Sequence, residues 1–217
     1  MPWHATDRQR VRLGAFPTAG ADLIPRVVRA CQMRFPSVRV ELRSVSAADV
    51  AARLREGAVH LGLVGDYDFA PRTFAADIER IPLAEDPLYV LLPLDHPLAG
   101  EHHVRLADLA GERWVVRAHG PPYDAAFATM CRPTGFGPAV GFVTADYPAA
   151  QGLVGAGIGI SAVPHMSLTS LRSDMVAVPM AHPAPRRRIA ALRSRRPAHP
   201  LAAERILDVL RDGIEAP

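Results

Sequence analysis

A chain of 217 residues, 49% of them apolar, can bury a core as one large domain or two small ones, and a net charge of +3 is too mild to demand a polyanion. All 25 basic residues are arginine and asparagine is absent, which excludes a Schiff-base lysine, a pyridoxal-phosphate enzyme, a Gly-Lys-Ser/Thr phosphate loop and N-glycosylation. No apolar run approaches the ~18 residues of a membrane helix, the first ten residues lack the apolar centre of a secretory signal, and two distant cysteines make no disulfide framework. A cytoplasmic, reduced setting without membrane contact is expected, and no cofactor is called for.

In chain order, Val11, Leu13 and Ala15 alternate with Arg12, Gly14 and Phe16, which predicts a short strand. Pro17-Thr18-Ala19-Gly20 turns into a helix with Leu23, Ile24, Val27, Val28, Cys31 and Phe35 on one face, and Pro36 stops it. Val38, Val40 and Leu42 alternate with Arg39, Glu41 and Arg43, a strand with one wet face. Ser46 opens a second helix on Val50 and Leu54 that Gly57 closes, and Leu61-Gly62-Leu63-Val64 is a more buried strand. Strand–helix–strand–helix–strand with short links predicts a parallel sheet with right-handed crossovers. Ligands of such sheets bind beyond the carboxyl ends of the strands, here residues 17–20, 44–47 and 65–67.

Residues 74–85 read as a connector holding an edge strand at 78–83, followed by a buried strand at 88–92 that ends at Pro93. A short helix at 106–109, a strand at 114–116, the loop Arg117-Ala118-His119-Gly120-Pro121-Pro122, a helix at 123–131 and a strand at 139–145 follow. Asp146 occupies an N-cap position with Pro148 just inside the helix it starts. Strands are expected at 158–163, 175–178 and 188–192, and an amphipathic helix carries Leu201, Ile206, Val209 and Leu210. The alternation breaks near Asp86 and returns near Arg193. The expected fold class is therefore α/β, two Rossmann-like lobes joined by two crossover strands. Lobe I comprises residues 11–86 and 193–217 and lobe II residues 87–192, with the ligand expected in the interlobe cleft.

The chain resembles the effector-binding domain of LysR-type transcriptional regulators. The resemblance rests on Leu13-Gly14-Ala15 with Leu23-Ile24-Pro25, Phe35-Pro36-Ser37-Val38, Glu41-Leu42-Arg43, Leu54-Arg55-Glu56-Gly57 with Leu61-Gly62-Leu63-Val64, and Leu83 with Pro93 and His96-Pro97-Leu98-Ala99. Its most telling stretch is Leu153-Val154-Gly155-Ala156-Gly157-Ile158-Gly159-Ile160 with Pro164. The resemblance implies a type 2 periplasmic-binding-protein fold, a small-molecule effector, a homodimer formed through this domain, and DNA contact only through a helix-turn-helix domain that these residues do not include. Two departures are His60, where the family usually carries an aspartate, and that missing DNA-binding domain, for which excision is the favoured explanation over natural truncation.

The candidate effector-binding residues are Thr18, Ala19, Gly20, Ser46, Asp66, Arg117, His119, Asp146 and Tyr147. Thr18 and Ser46 offer a hydroxyl beside a helix N-terminus, suited to an organic acid or equally to capping. Arg117 could pair bidentately with a carboxylate or with a surface acid. Asp66 reads as a lining carboxylate or a solvated one, and Asp146 as a cap before a ligand group. Cys31 sits on an apolar helix face as an inert core thiol. His102-His103 lacks further ligands at metal spacing. The arginines at 186–188, 193, 195 and 196 read as a strand and its turns, Ile189 and Leu192 inward and the arginines in water, or as a nucleic-acid patch. The leading function is a non-catalytic sensor of a small organic anion, the alternatives being a solute-binding protein of the same fold or an enzyme on that scaffold.

Overall fold

The computed structural model describes residues 9–117, 123–195 and 200–214, with their side chains except at 123–126 and 214. The chain divides into two compact units. Unit 1 comprises Met1–Asp66, Arg72–Glu85 and Arg188–Pro217, and unit 2 comprises Tyr67–Pro71 and Asp86–Arg187.

In unit 1, β1 (Arg10–Ala15) pairs in parallel with β2 (Arg39–Ser44) on one side and with β3 (Leu61–Tyr67) on the other. The sheet continues from β3 to β9 (Arg186–Ser194) and β4 (Ile78–Pro93). The expected first helix is two pieces, α1 (Pro17–Ala21) and α2 (Leu23–Arg34), which meet at Asp22, where ψ is −69° and the Asp22 N–H donates to the Thr18 carbonyl. Leu23, Ile24, Val27 and Cys31 form the buried stripe of α2, as the helical period requires. The second helix, α3 (Val50–Arg55), begins four residues after Ser46, and Gly57 ends it in the left-handed region at φ +67°. It lies so close over β3 that a Cβ on Gly62 would stand 2.2 Å from Val50 Cγ2. The helix α6 (Leu201–Ile214) joins α2 through an Arg34–Asp212 pair at 2.5 Å and the Arg205 guanidinium 5.2 Å over the Phe35 ring.

Three further expectations need correction. β2 is an edge strand without a clean buried face: Val40 is half-buried and Leu42 is 47% exposed, because nothing pairs with its outer side among the described residues. The strands expected at 78–83 and 88–92 are one strand of 16 residues. Pro82 and Pro87 interrupt the propensity signal, yet tertiary pairing carries the backbone through both. In β9 the arginines do not all reach water: Arg187 is 5% exposed, and Arg193 is held between Glu79 and Glu204.

In unit 2, residues of β4 pair antiparallel with β7 (Ser161–Pro164) and with β8 (Met175–Pro179), whereas β5 (Arg113–Arg117) pairs in parallel with β6 (Ala139–Thr144). The helices are α4 (Tyr123–Cys131) and α5 (Tyr147–Gly155). Leu88, Val90, Leu92, Leu109, Trp114, Val116, Phe127, Ile160 and Val178 are packed into one core. No helix among the described residues is long and apolar enough to cross a membrane.

Candidate functional site

The site is built at the carboxyl end of β5, where the last four of five strand residues are buried and the fourth of these is Arg117, 8% exposed. β5 is held on one side by β6 and on the other by residue 160: the Val115 N–H donates to the Ile160 carbonyl and the Ile160 N–H to the Arg113 carbonyl, both at 2.8 Å. Gly159 allows that approach, since a Cβ there would stand 2.5 Å from the Arg113 carbonyl oxygen.

The second wall is the start of α5. Asp146 caps it by accepting the Ala149 N–H at 2.8 Å, Pro148 follows in the first turn, and Tyr147 turns inward at 7% exposure. The Arg117 guanidinium lies 4.4 Å from the Tyr147 ring centroid, a cation–π stack that fixes its plane. The Tyr147 hydroxyl is 3.4 Å from that of Tyr67, whose ring stacks on Phe69 at 5.0 Å and 15°. Burial, then Tyr67 beside it, push the Tyr147 phenol far above the ordinary tyrosine range, so it stays protonated. With Leu88, Val115, Val116, Phe127, Met130 and Ala162, these residues line a small, partly open pocket. Among its described lining residues Arg117 is the one that carries a charge.

Behind Tyr147 lies a buried ion pair. Asp86 accepts from Arg187 Nη2 at 2.5 Å and Nε at 3.0 Å, and its other oxygen accepts the Met166 N–H at 3.2 Å. Their side chains are 1% and 6% exposed.

The predicted residues therefore fall into different places. Arg117 and Tyr147 are brought together, Asp146 is a helix cap beside them, and His119 lies outside the described residues. Thr18, Ala19 and Gly20 belong to unit 1 on the five-residue α1, Thr18 and Ala19 being buried inside it, so that Thr18 is not its N-cap. Ser46, also in unit 1, gives its hydroxyl to Asp49 Oδ2 at 2.7 Å and accepts the Asp49 N–H at 3.1 Å. Asp66, 2% exposed, accepts from Arg72 at 3.0 Å and from Arg80 at 2.7 Å, one guanidinium on each oxygen. Those pairs commit the carboxylates of Asp49 and Asp66 to the protein's own groups. Sequence reasoning missed Tyr67, Phe69, Phe127 and Met130. The alternation Asp66-Tyr67-Asp68-Phe69 directly after a buried strand was the available signal.

The profile of the LysR substrate binding domain matches residues 4–215. The chain belongs to that family. Its α/β architecture is the type 2 periplasmic-binding-protein-like fold of LysR effector-binding domains. This LysR substrate-binding domain is 30% identical over 188 residues to the transcriptional dual regulator GltC of Bacillus subtilis, covering 86% of the chain and 61% of GltC. The chain thus spans less than two thirds of that relative. It matches the C-terminal domain of a probable LysR family regulator from Rhodococcus sp. RHA1 at 26% identity and a TM-score of 0.75, covering 93% of this chain and 98% of the other. The BenM effector binding domain with its effector benzoate superposes with a TM-score of 0.81 at 22% identity, covering 94% and 90%.

The cysteines of this domain are core thiols. Both are wholly buried, and burial pushes the Cys131 thiol up to about 11 and raises that of Cys31, which Arg34 only partly offsets. Burial thus holds both thiols above the ordinary cysteine range, as befits core sulfhydryls.

Proposed function

We propose that this domain senses a small organic anion without catalysing a reaction, binding it in the pocket of unit 2 with its charge on Arg117. The observation that carries the reading is the buried Arg117 guanidinium stacked on Tyr147, the charged group among the described residues of an otherwise apolar, aromatic lining. An arginine there is worth more than a lysine, since its planar fork grips both oxygens of a carboxylate while its face stays stacked on Tyr147. In the whole regulator the bound ligand shifts a conformational equilibrium, which requires different affinities for the two states. DNA is read by a helix-turn-helix outside these residues, in the cytoplasm. A homodimer fits the exposed Leu42 of β2 and Met33 of α2, and sedimentation at micromolar concentration checks it.

Benzoate, the effector of the BenM domain, serves as a first probe beside aliphatic carboxylates of similar size. Losing a hydrogen bond to a charged group costs about 1.5–3 kcal/mol, so Arg117→Gln is expected to weaken a bound carboxylate by roughly ten- to a hundredfold. Arg117→Lys recovers only part of that loss. The melting temperature of each ligand-free variant separates binding from folding. Carboxylates that bind Arg117→Gln within twofold of the parent would remove Arg117 from the site.

A further inference from the structure

The pocket wall formed by Tyr67 and Phe69 is an unusual piece of chain. Residues 67–71 cluster with unit 2, whereas Asp66 before them and Arg72 after them cluster with unit 1. The segment is a tight turn: the Ala70 N–H donates to the Tyr67 carbonyl at 3.0 Å and the two residues form an isolated bridge. On the unit 2 side the Asp68 N–H donates to the Arg186 carbonyl at 3.1 Å and the Asp68 carboxylate accepts the Arg186 N–H at 3.3 Å. The far ends of the turn are tied by Asp66, whose carboxylate takes Arg72 on one oxygen and Arg80 on the other, while Arg80 also donates to the Arg72 carbonyl at 3.2 Å.

The Asp66 side chain is 1% exposed while Arg72 and Arg80 are 41% and 30% exposed, so a buried carboxylate is answered on each oxygen by a guanidinium that reaches in from the surface, and each bond is charge-assisted. They fix where the five-residue excursion leaves and returns, and hence where its two stacked rings stand. We propose that Asp66 is a positioning residue for the pocket: it contacts no ligand, and through Arg72 and Arg80 it holds Tyr67 and Phe69 as the wall facing Arg117 and Tyr147. The inference rests on the reading of this pocket as the anion site.

The test combines hydrogen exchange of the peptide 67–72 with benzoate titration of the whole chain. Asp66→Asn keeps the volume and removes the charge. It is expected to speed exchange in that peptide tenfold or more, to leave exchange in β1 and β5 unchanged, and to weaken benzoate tenfold or more. Arg72→Gln guards against a folding failure, because the Arg72 side chain is 41% exposed and its loss opens no core. It is expected to act in the same direction, and Arg72→Lys to stay within threefold of the parent. Exchange at 67–72 unchanged in Asp66→Asn and Arg72→Gln, or benzoate affinity within twofold in both, would overturn the proposal. Accelerated exchange in a protein whose parent binds no carboxylate would uphold the role of Asp66 in placing the wall and remove the anion reading instead.

Discussion

Asp86→Ala is expected to destabilise the protein by about 3–5 kcal/mol, because it leaves the Arg187 guanidinium buried without its carboxylate. The geometry makes this a severe case: two Arg187 nitrogens and the Met166 N–H converge on Asp86, and the paired side chains are 1% and 6% exposed. Against a total of about 5–15 kcal/mol for a folded domain that is a large fraction. For a chain of this size it corresponds to a fall in melting temperature of roughly 6–20 °C. The pair also marks the places where β4 and β9 enter unit 2, since Asp86 begins its main segment and Arg187 ends it. Replacing both partners with apolar residues, Asp86→Leu with Arg187→Met, is expected to recover most of the loss, because a buried ion pair exchanged whole for packed side chains is about neutral. Thermal and denaturant melts of the two singles and the double form a cycle that isolates the pair. A single-mutant loss below about 1 kcal/mol would mean that water reaches Arg187 once Asp86 is gone.

Trp114→Ala is expected to cost about 3–5 kcal/mol, the range for emptying a large aromatic site in a core. Trp114 is fully buried, meets Phe127 edge to face at 4.9 Å, and lies between Arg113 and the pocket residues Val115 and Val116 on β5. Its indole N–H is the one buried side-chain polar atom without a hydrogen-bond partner among the described residues. Burying such a donor costs about 1–3 kcal/mol, so Trp114→Phe, which deletes the donor together with one ring, is expected to cost under ~1.5 kcal/mol. The contrast between the two substitutions is the decisive quantity, read from denaturant midpoints at constant slope. If Phe proves as costly as Ala, shape and not the orphaned donor governs the site. Because β5 delivers Arg117, the Ala variant is also expected to lose carboxylate binding, whereas the Phe variant keeps it.

Much of the local structure was legible in residue order. The stripe Leu23, Ile24, Val27 and Cys31, the cap at Asp146 with Pro148 behind it, and the alternation in β1 each rest on neighbours within one or two turns. The family too was legible, because it is carried by the order of short motifs, the stretch Leu153–Ile160 above all. Arg117 and Tyr147 were each named as candidates from their place at the end of a strand and the start of a helix. Their stacking was not legible, because 30 residues separate them and no periodicity links them.

The remaining misreadings share a cause. β4 was read as two strands because Pro82 and Pro87 weaken local propensity, while its ladder partners lie dozens of residues away in β7, β8 and β9. Ser46 and Asp66 were named for their chemistry in isolation, and the partners the fold gives them, Asp49 for the first and Arg72 and Arg80 for the second, were not legible from it. Arg187 looked solvated among five other arginines, yet it is buried because Asp86, 101 positions earlier, neutralises it. Composition, periodicity and capping act within a few residues, and they determined most helices, most strands and the α/β class, while the order of short motifs carried the family. Which charges neutralise one another, and which side chains remain to face a ligand, are decided by groups far apart in sequence. Burial makes unpaired polar groups costly, so only the assembled structure could assign them.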